Sequence, residues 1–258
     1  MSRRYLVRPL PPPGPHALPT EVAHHLSVVR ARPGDRVRLF DGAGAEAWAE
    51  LVAVGKRCVE ALVEPAAAVE REPDVRVELA CALPKGARAE WLFEHGTEVG
   101  VAAFRPLLFA RSNPSRRERK DRFERIVAAA AEQCDRSRLP TVHDESPLDD
   151  LLADDTLPAE RYVAAPGAQA VLGTARSRAA ILVVGPEGGL TPGEVDALAH
   201  AGFQPVDLGP LILRTETAAL VGAARLLTPK GQGTSTRPTA APPAEGENGR
   251  SSPSANDQ

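Results

Sequence analysis

The segment from Ile181 to Leu220 constrains the fold of this chain more than any other. It opens with an apolar, β-branched run, Ile181 to Val184, closed by glycine. A run of that kind suits a strand buried on both faces, as in a parallel sheet covered by helices. Gly185-Pro186-Glu187-Gly188-Gly189 follows, a turn whose residues let the backbone approach another group closely. Thr191-Pro192-Gly193-Glu194 then reads as a helix start, with Thr191 as cap, Pro192 in the first turn and Glu194 completing a capping box. That helix is expected to reach about Ala201 and to stop at Gly202. A short strand, Pro205 to Leu208, leads into a second glycine turn at Gly209-Pro210, and a last helix runs from near Thr215 to Pro229. Two glycine-bearing turns thus follow two strands, and open α/β sheets bind ligands beyond the carboxyl ends of their strands.

The turns exclude two common ligands. The dinucleotide fingerprint G-x-G-x-x-G is absent, as is the phosphate loop G-x-x-x-x-G-K-[ST], and no lysine lies near either turn. A slot lined by backbone amides and carbonyls remains.

The pair G-P-E-G-G at 185–189 and L-G-P-L-I-L-R-T-E-T-A at 208–218 resembles the knotted SPOUT methyltransferases, and within them the ribosomal RNA small-subunit methyltransferase E family. The resemblance continues through Lys85-Gly86, Trp91, Thr97 to Val101, Pro106-Leu107, Arg111-Ser112, Ala131-Glu132-Gln133, Arg136, Arg138 and Pro140, up to about Leu227. His24, Arg30, Gly34, Asp35 and Leu39 to Gly42 resemble the PUA-like N-terminal domain of the same family. One departure is His95-Gly96, where lysine then alanine is expected. The resemblance implies an α/β fold: a knotted SPOUT domain behind a small PUA-like β-barrel that binds RNA. It also implies methylation of N3 of a uridine in small-subunit (16S) ribosomal RNA, with S-adenosylmethionine as cofactor, by a homodimer. Two other readings compete: another SPOUT RNA methyltransferase acting on a ribose 2′-oxygen or a transfer RNA base, and a non-catalytic RNA-binding protein that keeps the fold.

Taken in order, residues 1 to about 70 read as the barrel, with a short helix from Glu21 to Arg30 and strands at Val37–Phe40, Ala45–Val54 and Cys58–Val63. Residues 75–229 alternate strands and helices, the pattern of a parallel sheet. Strands are expected at 75–83, 104–109 and 161–165. Helices are expected at 87–99, with Ala87, Trp91, Leu92, His95 and Val99 on one face, and at 117–134. Residues 230–258, rich in Pro, Ala, Ser, Gly and Glu, are expected to be a disordered tail.

Net charge is -3, so only the distribution of arginines can speak for nucleic acid. No apolar run approaches a membrane span or a secretory signal, which makes cytoplasmic location the expectation. Cys58, Cys81 and Cys134 are too dispersed for a disulfide frame or a zinc site and read as reduced, buried thiols, so no metal is expected.

The imide nitrogen of uridine must lose its proton before or during attack, which calls for a base or for a cation beside the uracil anion. Glu187 and Glu216 are candidate bases, Glu216 being favoured instead as a helix-turn or arginine partner. Arg214 suits an oxyanion or a phosphate. The catalytic expectation is therefore Arg214 and Glu187. Cofactor contacts are expected from Gly185, Pro186, Glu187, Gly188, Gly189, Leu208, Gly209, Ile212, Leu213, Thr217 and Ala218, and RNA contacts from Arg4, His24, Arg30, Arg32, Arg111, Arg136 and Arg138.

Overall fold

The computed structural model describes residues 3–55, 58–112 and 120–228. The expected tail and the helical start at Arg117 lie outside them. The chain first forms β1 (Arg4–Leu6), β2 (Gly14–Ala17), α1 (Thr20–Val28), β3 (Arg36–Phe40), β4 (Ala45–Val54), β5 (Val59–Val63) and β6 (Ala67–Ala68). These strands make one sheet in the order β1-β3-β4-β5-β2, with β6 on β4, antiparallel except for β1 with β3. Its core gathers Tyr5, Val22, Leu26, Val37, Leu39 and Leu51. The two N-terminal strands carry too few apolar residues to be legible locally; β1 is recruited by register, Arg4 to Leu6 against Arg38 to Phe40.

The second unit contains β7 (Arg76–Ala82), α2 (Ala87–Val99), β8 (Ala103–Leu108), α3 (Lys120–Cys134), β9 (Thr141–Val142), β10 (Ser146–Pro147), α4 (Leu148–Leu152), β11 (Glu160–Ala164), β12 (Ala179–Val184), α5 (Pro192–His200), β13 (Gln204–Val206) and α6 (Thr215–Leu227). Its sheet runs β10-β8-β7-β12-β11-β13, with β9 on β8, and every pairing is parallel. Strand β12 lies at the centre. Ala180, Leu182 and Val184 point into one core with α2, α3 and α6, while Ile181 and Val183 point into a second with α4 and α5. Burial on both faces is what the unbroken apolar run required, at roughly 1.5–3 kcal/mol for each large side chain.

Helix α6 closes the unit. Gly222 sits directly on β12, where a Cβ would come 2.2 Å from Leu182 Cδ2. The loop 165–178 holds the other end, Ala175 donating to Leu226 O (3.2 Å) and Arg225 to Leu172 O (3.4 Å). The last helix is thus held between the sheet and the loop 165–178.

Helix α2 has the expected bounds but a different inner face: Ala89, Leu92, Phe93, Gly96 and Thr97 are buried, whereas Trp91 is exposed and stacks on His95 at 4.4 Å. Gly96 explains itself. A Cβ there would lie 2.7 Å from the Phe104 ring, and that ring packs on Phe93, which stacks on Phe123. Among the cysteines, Cys81 is buried, Cys134 is half-buried and Cys58 is exposed, so the expectation of buried thiols fails at Cys58. Burial pushes the Cys81 thiol up to about 12, which leaves it inert.

The two units are stapled by charge. Buried Arg4 bonds Glu46 and the Ala131 carbonyl (Nη1 to O, 2.9 Å), its guanidinium 3.6 Å over Phe40. Arg71 reaches the same Glu46 at 2.6 Å, and the backbone of Leu6 donates to Glu132 (2.8 Å). Buried Arg136 bonds Glu72 and the carbonyls of Thr97 and Val101.

Candidate active site

Strands β12, β11 and β13 are neighbours and run parallel, so their carboxyl ends open side by side. A cavity of about 300 Å³ lies there, floored by Val184, Ala164 and Ala165 and walled by both glycine turns, with Thr215 and Ala218 at the start of α6. Most of its wall is apolar or backbone. Local chemistry fixes each loop. Asp207 accepts from Gly209 N (2.6 Å) and Gly167 N (2.7 Å), tying the turn after β13 to the one after β11. Those two amides, Gly209 first, hold its carboxyl below the usual range. Gly209 has φ +130°, a conformation that needs glycine. In the other turn Gly189 donates to Pro186 O (2.8 Å) with φ +71°, and Thr215 Oγ1 donates to Gly185 O (3.2 Å). The capping box of α5 forms as expected, and Glu194 also accepts from Ala110 N (2.7 Å).

Nine of the expected cofactor residues line the cavity: Gly185, Pro186, Glu187, Gly189, Leu208, Gly209, Ile212, Leu213 and Ala218. Gly188 does not. Its open side faces Arg111, whose Cβ would lie 3.3 Å from an added Cβ. Thr217 is also off the wall, because its neighbours Thr215 and Ala218 take the inward positions of the helix. Ala164, Ala165, Pro166, Leu190, Val195, Asp207, Leu211 and Thr215 join the lining without having been anticipated. Ala165-Pro166-Gly167 after an apolar strand was the available signal for the third loop.

Glu187 stands at the rim with its side chain 44% exposed, 3.4 Å from Arg88 of α2, a residue that sequence reasoning missed. Arg214 is the N-cap of α6 and exposed, with no side-chain partner among the described residues. Glu216 is buried in the first turn of α6, 3.8 Å from the same Arg88.

The expected RNA contacts divide. His24, Arg30 and Arg32 are exposed on the barrel unit. Arg4 and Arg136 are corrected: both are buried at the junction of the units with their donors engaged, so neither presents a guanidinium to RNA. Arg138 is exposed but spans the junction, bonding Ala43 O (2.5 Å) and Glu70. Arg111 donates to Gly188 O (3.0 Å) and Leu190 O (3.3 Å), which makes it a brace of the glycine turn. Among the described residues no cluster of His, Cys, Asp or Glu could hold a metal ion, and no helix is long and apolar enough to cross a membrane.

Residues 70–227 match the RNA methyltransferase domain family, and residues 18–64 the RNA methyltransferase PUA domain family. The chain is similar to ribosomal RNA small subunit methyltransferase E of Bacillus subtilis, 35% identical over 78% of this chain and 84% of that protein. It is 36% identical to the protein of the same name from Mycobacterium bovis, over 80% and 83% of the two chains. Its fold is similar to that of ribosomal RNA small subunit methyltransferase E from Neisseria gonorrhoeae bound to S-adenosyl methionine, with a TM-score of 0.80, 31% identity, and 87% and 96% of the two chains covered. The domain matches, the relatives and the site agree: the chain belongs to the ribosomal RNA small subunit methyltransferase E family of S-adenosylmethionine-dependent ribosomal RNA methyltransferases.

Proposed function

We propose that this protein methylates N3 of a uridine in small-subunit (16S) ribosomal RNA. The observation that carries the reading is the cavity at three parallel strand ends, with Glu187 on its rim and Arg214 unengaged at the adjoining helix start. S-adenosylmethionine, when bound, supplies an electrophilic methyl group on a sulfonium centre. The cavity fits that group: apolar walls suit an adenine, while the glycine turns bring backbone amides and carbonyls within reach of polar edges. Asp207 and Arg111 keep those turns shaped before the ligand arrives, which lowers the cost of ordering on binding. Glu187 takes the N3 proton of the uracil. Arg214 stabilises the charge that then gathers on the uracil oxygens, and the exposed His24, Arg30 and Arg32 hold RNA phosphates. We further propose that the protein works as a homodimer in the cytoplasm.

The test is methyl transfer to small-subunit RNA followed by nucleoside mass analysis and single-turnover kinetics. N3-methyluridine is the expected product, and Arg214→Ala should slow transfer by about 100-fold or more, the scale of one lost transition-state stabiliser, with RNA affinity retained. A methyl group on a ribose 2′-oxygen or in transfer RNA, or loss of cofactor binding in Arg214→Ala, refutes the assignment.

A further inference from the structure

Glu216 is a buried carboxylate with an unmet need. It is 5% exposed, and its Oε2 is buried without a hydrogen-bond partner among the described residues. The cation beside it is Arg88, whose Nη1 lies 3.8 Å from Glu216 Oε1 and 3.4 Å from Glu187 Oε1. A charge-assisted N–H···O bond spans roughly 2.7–2.9 Å, so one guanidinium stands between two carboxylates and closes on neither. Glu216 is fixed by packing, whereas the Arg88 side chain is 40% exposed in the first turn of α2 and has room to move.

We propose that Arg88 and Glu216 are a positioning pair that governs Glu187, and the inference rests on the reading of Glu187 as proton acceptor. With Arg88 3.4 Å away, the Glu187 carboxylate faces a cation instead of the uracil. When RNA covers the rim and excludes water, the missing hydrogen bond at Glu216 Oε2 becomes more costly, and a shift of roughly 1 Å brings Arg88 into bonding range of the Glu216 carboxylate. Glu187 is then left facing the uracil without its cation. It takes the N3 proton, becomes a neutral carboxyl group, and returns the proton to water after the product leaves. Glu216 touches neither substrate nor cofactor; it acts by giving Arg88 somewhere else to go.

The test is a double-mutant cycle read as the single-turnover methyl-transfer rate at saturating cofactor and RNA, with cofactor affinity and melting temperature measured alongside. Glu216→Gln strands Arg88 on Glu187, so the rate should fall by about tenfold or more, within the range that general-base assistance contributes, while cofactor affinity changes less than about twofold. Arg88→Ala leaves a buried charge uncompensated and should lower the melting temperature. The double variant carries neither conflict, and its rate should return to within about threefold of wild type, a coupling that a plain salt bridge would express in stability alone. A double variant as slow as Glu216→Gln, or more than about tenfold slower than wild type when Glu216→Gln does not fold, overturns the proposal. Glu187→Gln separates the two readings: full activity in that variant removes Glu187 as the proton acceptor, whatever the cycle gives.

Discussion

Gly222→Ala tests whether the last helix depends on backbone contact with the central strand. Two terms oppose each other. Alanine is favoured over glycine inside a helix by about 1 kcal/mol. Against this, the new Cβ would lie 2.2 Å from Leu182 Cδ2 and 3.6 Å from Leu182 Cγ and Leu172 Cδ2. Carbon atoms prefer about 3.5–4.0 Å, so more than 1 Å must be found. Leu182 is fully buried between β7 and β11, and α6 cannot lift away because the loop 165–178 bonds its far end. Overpacking of this kind costs about 1–3 kcal/mol. The balance is a loss of up to about 2 kcal/mol, or a melting temperature lower by up to roughly 8 °C for a chain of this size. Because Thr215 and Ala218 of α6 line the cavity, cofactor affinity should fall with it. Adding Leu182→Val, which removes the clashing methyl, should recover part of both losses. Calorimetry reads stability and affinity on the same samples. A melting temperature at or above wild type, or strict additivity with Leu182→Val, would refute the argument that close approach at Gly222 decides this position.

The remaining predictions concern the site and its supports. Gly209→Val should weaken cofactor binding by about tenfold or more, since a β-branched residue is strained at φ +130° and its side chain borders the cavity; Gly188→Val, which meets Arg111, should do less, and equal losses by titration calorimetry would contradict the geometry. Arg30→Ala with Arg32→Ala should weaken RNA binding and flatten its salt dependence by about one to two in slope, with cofactor affinity unchanged; an unaltered slope would remove both from the interface. Glu160 accepts from Tyr162, from the Arg176 and Ser177 amides and from Ser177 Oγ. Burial pushes its carboxyl up, but these bonds, Tyr162 first, outweigh it and hold the value at about 2. A depressed folded value means that the contribution is whole above the ordinary 4.5 and is lost as pH falls from there towards 2. Glu160→Gln should therefore make stability less dependent on pH in that window, and an acid unfolding curve of unchanged slope would count against it.

The sequence by itself determined the parts whose cause is local. The apolar run before Gly185 reads as a strand covered on both faces, and β12 is that strand. Thr191, Pro192 and Glu194 specify a helix start through bonds that span three residues, and the capping box is present. The paired glycine turns located the cavity, because positive φ and close backbone approach are properties of the residue type. What only the tertiary structure decided is where long side chains end. Arg4, Arg136, Arg111 and Arg214 are equivalent as letters, yet the first two are buried among carboxylates and carbonyls, the third braces a turn, and the fourth is exposed at the site. Their partners lie far away in sequence: Arg4 meets Glu46 and the Ala131 carbonyl, and Arg111 meets Gly188. Arg88 escaped notice for the same reason, since its interest comes from two carboxylates that the chain delivers about a hundred residues or more later. A guanidinium reaches several ångströms from its backbone, and its role is set by whatever charge the fold brings within that reach.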